Sequence, residues 1–127
     1  METLLSTRPR VLLADDYPEM LHAVSRLLAV DCEIVGSVAD GGSLLEAVQR
    51  LQPDVIVLDV NLPNVRSLEA CRVITRMNPQ IKVIMFTAVS DREASDAFLE
   101  AGASAFLSKS ASVDLPSTIK RLCVDPS

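Results

Sequence analysis

A length of 127 residues fits one domain, able to bury about two thirds of its unfolded surface and so to hold one real core. A hydrophobic share of 49% excludes a disordered chain, and an aromatic share of 3% without Trp means that the core is aliphatic. The formal charge of −5, with 12 dispersed Lys and Arg, excludes a basic stripe, so no direct nucleic acid contact is expected. The three cysteines, Cys32, Cys71 and Cys123, are odd in number and far apart, matching neither a disulfide framework nor a CxxC metal site. They read as small buried residues in a reduced compartment. Nothing approaches the roughly 18 apolar residues of a membrane span, and Met1 to Arg10 lacks the apolar core of a secretory signal. The expected location is cytoplasmic.

Arg10 to Ala14 is a short apolar run closing on Asp15-Asp16, and Pro18 opens a pattern of Leu21, Val24, Leu27 and Leu28 at helical spacing. His22 falls off that stripe and reads as exposed. Ile34 to Ala39 is a second strand, broken by Asp40-Gly41-Gly42. Ser43 to Glu46 then offers a capping box for a helix through about Leu51. Val55 to Asp59 is unbroken in apolar residues and ends on a carboxylate, the pattern of a central parallel strand covered on both faces. A helix follows over Leu68 to Met77, stopped by Asn78-Pro79.

Ile81 to Phe86 is a fourth strand, ending at Thr87-Ala88, and Ser90 to Glu93 is another capping box. The helix it starts ends at Gly102, the expected left-handed residue. Ala105 to Leu107 is a short fifth strand closing on Ser108-Lys109. The last helix carries Leu115, Ile119 and Leu122, and Pro116 must lie in its first turn, which predicts a late start. Strands alternating with helices predict an α/β fold, a doubly wound five-stranded parallel sheet in the flavodoxin-like order 2-1-3-4-5. Residues 1–127 form one domain in this reading, with a core over about 9–124 and Pro126-Ser127 as a linker stub.

In that order the first and third strands flank the switch point, where ligands bind. Asp15 and Asp16, Asp59, Thr87 and Lys109 therefore converge from four strand ends, while Asp40 lies to one side and is left out. Three facing carboxylates repel when ionised, and a divalent cation removes the conflict. Oxygen-only ligands, with a backbone carbonyl from Asn61 and open positions, suit Mg²⁺. With Lys109 opposite and the Thr87 hydroxyl nearby, the set is arranged for an incoming phosphoryl group, with Asp59 as nucleophile. Taken singly, Asp15 and Asp16 read as a helix cap, Asp59 as a turn acid, Thr87 as structural and Lys109 as a solvated charge. Their joint placement is what points to chemistry. Tyr17, beside the acidic pair, reads as plain packing first and as lining the mouth of the site second.

The chain resembles the receiver domain of two-component response regulators along nearly its whole length. The resemblance lies in Leu12-Leu13-Ala14-Asp15-Asp16, in Val57 to Pro63, in Phe86-Thr87-Ala88, and in Ala101-Gly102-Ala103 leading to Phe106-Leu107-Ser108-Lys109. Leu13 to Pro18 with Ile34-Val35-Gly36 is most similar to the branch whose receivers precede a LuxR-type helix-turn-helix domain. The resemblance implies that Asp59 accepts a phosphoryl group from a sensor histidine kinase or phosphotransfer protein. Asp15, Asp16, Asp59 and the Asn61 carbonyl would hold Mg²⁺, and Lys109 would pair with Asp59 and then with the phosphoryl oxygens. Thr87 would swing toward the phosphoryl group and Phe106 would turn into the space it leaves, reshaping the fourth helix, fifth strand and fifth helix. Ala88 would keep access open.

That switch implies control of an output domain or downstream protein, transcription first among outputs, with a second copy of the chain as a candidate partner. The domain would assist its own phosphorylation and dephosphorylation without acting as an enzyme on other substrates. Two departures stand out: Ser67 where the family usually has Gly, and Arg66 before it where a small or acidic residue is common. They keep open an altered loop, an Arg66 contact to phosphate or partner, and a second reading as a binding module that signals without phosphorylation. A metal-dependent hydrolase would need a further acid or base, and none is visible.

Overall fold

Val55–Asp59 forms the middle strand of a five-stranded parallel sheet, and all five of its residues are buried. The computed structural model describes residues 8–62, 66–88 and 92–123. Along the chain the elements are β1 (Arg10–Ala14), α1 (Pro18–Leu28), β2 (Glu33–Val38), α2 (Gly41–Leu51) and β3 (Val55–Asp59). They continue with α3 (Ser67–Met77), β4 (Lys82–Thr87), α4 (Arg92–Glu100), β5 (Ala105–Ser108) and α5 (Leu115–Cys123). The sheet order is β2-β1-β3-β4-β5, the flavodoxin-like order expected of the chain.

Side chains of a strand alternate between faces, so each buried strand feeds two cores. On one face Leu12, Ile56, Leu58, Val83 and Met85 pack against Leu44 and Val48 of α2, Cys71 and Ile74 of α3, and Phe98 of α4. On the other, Val11, Leu13, Val55, Val57, Ile84 and Phe86 pack against Val24 and Leu28 of α1 and Leu115 and Ile119 of α5. Burying an aliphatic side chain of this size contributes about 1.5–3 kcal/mol. Helices on both faces hold the sheet rigid, and the loops at its C-terminal edge are left to carry chemistry.

Local details depart from the sequence reading in instructive ways. The second strand runs one residue earlier than Ile34 to Ala39, and α2 begins at Gly41 because Asp40, not Ser43, is its cap: Asp40 Oδ1 accepts the Ser43 N–H at 3.0 Å. An aspartate satisfies an orphan amide there as well as a serine does. Neither Asp15 nor Asp16 caps α1; the N-cap position is Tyr17, without a side-chain cap, ahead of Pro18. The last helix does start late, after a 3-10 segment over Lys109–Asp114. Gly102 takes a φ of +108°, the left-handed stop expected after α4.

Cys32 and Cys71 are buried, but Cys123, near the end of α5, is exposed, against the expectation for all three. Tyr17 is exposed as well, and its hydroxyl donates to Glu19 rather than packing in the core. His22 is exposed, as its place off the stripe implied. Pro63, Ser90 and Asp91 of the second capping box, and the Pro126-Ser127 tail lie outside the described residues.

Candidate functional site

Register places the site. Ala14 pairs with Leu58 between β1 and β3, so Asp15 and Asp59 leave the two neighbouring strands at the same level. Asp59 pairs with Phe86, and Thr87 pairs with Ser108, which puts Thr87 and Lys109 at the same sheet edge. Asp15 and Asp59 are each 5% exposed and Thr87 4%, whereas Asp16 and Ala88 are exposed. The five residues chosen from the sequence thus emerge on one edge of one sheet.

Around Asp59 the contacts are specific. Its Oδ1 accepts the Asn61 N–H at 3.0 Å, which folds the start of the β3–α3 loop back over the carboxylate. Asp15 does the same for its own loop, with Oδ1 accepting the Tyr17 N–H at 2.9 Å. Lys109 Nζ stands 2.8 Å from Asp15 Oδ2 and 3.5 Å from Asp59 Oδ2, and 5.8 Å from the centre of the Phe86 ring. The lysine is therefore shared between both acids, and it sits closer to Asp15 than to the Asp59 carboxylate with which the sequence reading paired it.

Burial pushes the Asp59 carboxyl above its ordinary range. The Asn61 amide and the Lys109 charge oppose that rise, and the neighbouring Asp15 charge adds to it. Residual repulsion among the acids is what a bound cation would remove. One carboxylate oxygen from each of Asp15, Asp16 and Asp59 lies within 4.8 Å of the other two. Asp15 Oδ2 is buried and accepts no well-aligned hydrogen bond; Lys109 is near enough to pair by charge but poorly directed. A buried oxygen with spare acceptor capacity, beside two more carboxylates and no nitrogen or sulfur donor, fits a hard divalent cation such as Mg²⁺.

Further from the acids, Phe106 is half-buried on β5 and lies tilted against Phe98 of α4, ring centroids 6.0 Å apart. Arg66 is exposed at the N-cap position of α3 and makes no side-chain cap. Two participants were not chosen from the sequence. Phe86, a strand residue and part of the Phe86-Thr87-Ala88 motif in the sequence, has its ring beneath the Lys109 ammonium. Ser67 was noted only as a departure; it is 4% exposed, and its hydroxyl donates to the Asp59 backbone carbonyl at 2.8 Å. The signal for Ser67 was its spacing of eight residues from Asp59.

Comparison with known proteins agrees with this arrangement. The response regulator receiver domain family matches residues 11–120. Response regulator GacA of Pseudomonas viridiflava is 35% identical over 104 residues, covering 80% of this chain and 49% of the relative. The transcriptional regulatory protein DegU of Brevibacillus brevis is 30% identical over 115 residues, covering 89% of this chain and 49% of that one. The chain thus spans about half the length of these curated relatives. A LuxR-family two-component response regulator from Aurantimonas sp. SI85-9A1 superposes with a TM-score of 0.85 at 27% identity, over 91% of this chain and 85% of that one. By family match, fold and the residues gathered at the sheet edge, the chain belongs to the response regulator receiver domains of two-component systems.

Proposed function

We propose that Asp59 is a phosphoacceptor and that this domain is a Mg²⁺-dependent phosphorylation switch. The observation that carries the reading is the buried Asp59 carboxylate flanked by Asp15 and Asp16 on one side and by Lys109 on the other. Asp15, Asp16, Asp59 and the backbone carbonyl of Asn61 would hold the cation. When bound, Mg²⁺ supplies positive charge against the phosphoryl oxygens, which carry most of the charge in such a transfer.

The chain's own groups do the rest. An Asp59 carboxylate oxygen attacks phosphorus and forms the new P–O bond. The donor's bond to phosphorus breaks, and the leaving group keeps that electron pair. The transition state for phosphoryl transfer is loose, so the protein contributes mainly position and charge. Lys109 follows the charge from the free carboxylate to the phosphoryl oxygens, and Thr87 donates its hydroxyl to one of them. These contacts exist only in the phosphorylated form, so they shift the equilibrium between two arrangements of the domain. Phe106, already against Phe98 of α4, passes that shift to the α4–β5–α5 face.

The partners in this reading are a sensor histidine kinase or phosphotransfer protein upstream and an output domain or protein downstream, with transcription as the output and a second copy of the chain as a further partner. The location is the cytoplasm; no helix among the described residues is long and apolar enough to cross a membrane. Residues 1–127 act as one receiver domain. The test is incubation with Mg²⁺ and a small acyl phosphate, followed by intact mass. One phosphoryl adduct is expected, absent with EDTA and absent in Asp59→Asn. No adduct on the wild-type chain, or equal labelling of Asp59→Asn, contradicts the reading.

A further inference from the structure

Ser67 opens α3 but does not serve that helix. A serine at a helix start ordinarily turns its hydroxyl to the orphan amides of the first turn. Here the N-cap position belongs to Arg66, whose side chain makes no cap, and the buried Ser67 hydroxyl reaches back across the loop to the Asp59 carbonyl at 2.8 Å. That carbonyl also accepts the Leu62 N–H at 3.3 Å, and the Asp59 side chain accepts the Asn61 N–H. Three hydrogen bonds therefore close the loop on the same residue: its carboxylate holds the near part, and its carbonyl holds Leu62 and the first turn of α3.

We infer that Ser67 is a positioning residue for the site, its hydroxyl fixing the peptide of Asp59 and the loop that carries the Asn61 carbonyl. The inference rests on the phosphoacceptor reading above. A direct buried hydroxyl–carbonyl bond fixes the peptide plane that follows Asp59, and with it the course of the chain into Asn61, whose N–H meets the Asp59 carboxylate. Groups that orient ligands from behind cost about 10–100-fold in metal affinity or activity when removed. Arg66 is exposed and makes no side-chain cap, so at the start of α3 the contact to the Asp59 peptide is made by Ser67.

The experiment compares wild type, Ser67→Ala and Ser67→Thr in three measurements: Mg²⁺ binding by calorimetry without a phosphodonor, the rate of labelling by a small acyl phosphate, and urea unfolding in EDTA. Ser67→Ala is expected to weaken Mg²⁺ binding and slow labelling, each by about tenfold, and Ser67→Thr, which keeps the hydroxyl, to regain most of both. A Ser67→Ala chain that loses stability but binds Mg²⁺ and labels like wild type makes Ser67 merely structural and overturns the inference. If the wild type binds Mg²⁺ but gains no phosphoryl group, the phosphoacceptor reading falls, while the calorimetry still decides the role of Ser67. If the wild type binds no Mg²⁺, both fall.

Discussion

Lys109 Nζ lies 2.8 Å from Asp15 Oδ2 and 3.5 Å from Asp59 Oδ2, so one ammonium is shared between two buried acids. The lysine side chain is only 15% exposed and the aspartates 7%. Removing one partner of a buried pair leaves the other charge uncompensated, which typically costs about 3 kcal/mol. Lys109→Met should therefore lower unfolding stability in EDTA by about that much, and added Mg²⁺ should restore part of it. Urea unfolding with and without Mg²⁺ measures both; a variant as stable as wild type in EDTA would show that the pair carries no such weight.

Asp59 gives stability an unusual pH dependence. Its folded-state carboxyl is raised by burial first of all, so the folded chain binds this proton more tightly than the unfolded chain. The contribution of Asp59 is thus a penalty, in full force above its folded pKa and relieved as pH falls through that value toward the ordinary range. Asp59→Asn removes it. In EDTA the variant should exceed wild type in stability at pH 7, with the gap narrowing on acidification; in Mg²⁺ the order should close or reverse, since the cation binds only the folded wild type with full affinity. A variant less stable than wild type in EDTA across this range would count against the crowding of acids.

Gly102 ties α4 to α3. It holds a φ of +108°, and a β-carbon there would collide with the Thr75 hydroxyl and lie 2.9 Å from the Thr75 β-carbon. The same hydroxyl donates to the Cys71 carbonyl at 2.9 Å and stands 3.1 Å from the Ala101 carbonyl. Gly102→Ala combines backbone strain with a clash, and a loss of about 2–4 kcal/mol is expected. Adding Thr75→Ala should recover part of that loss, because the two sites share the contact. Denaturant midpoints for the double-mutant cycle give the coupling; strict additivity would contradict it.

The cysteines separate by reactivity. Burial pushes the Cys71 thiol up to about 11 and raises Cys32 and Cys123 as well, but of the three only Cys123 is exposed to a reagent. A thiol reagent at pH 8 should label Cys123 first and reach Cys32 and Cys71 only on unfolding. Peptide mapping after brief labelling checks this, and fast modification of Cys71 would contradict its packing under α4.

Much of this was legible in the residues. The parallel sheet followed from apolar runs alternating with helices, its order from the flavodoxin-like pattern, and the convergence of Asp15, Asp16, Asp59, Thr87 and Lys109 from where those runs stop, because parallel strands deliver their last residues to one edge. What escaped was decided by single hydrogen bonds between groups distant in sequence. Asp40 rather than Ser43 caps α2, a choice between two good caps that depends on where the chain turns. The Ser67 hydroxyl could as well have capped α3, and only the folded loop shows it bonded to Asp59. Cys123 and Tyr17 read as packed residues, yet both are exposed, Cys123 near a helix terminus and Tyr17 in a loop, where amphipathic pattern gives no direction.

The central claim is that Asp59, and not its acidic neighbours, carries the phosphoryl group. An acyl phosphate can be reduced by borohydride at the modified carboxyl, and peptide mapping then locates it. After labelling with a small acyl phosphate in Mg²⁺, the reduced residue should be Asp59 alone, with no signal when EDTA replaces Mg²⁺. Reduction at Asp15 or Asp16, or at Asp59 to the same extent without Mg²⁺, would contradict the account.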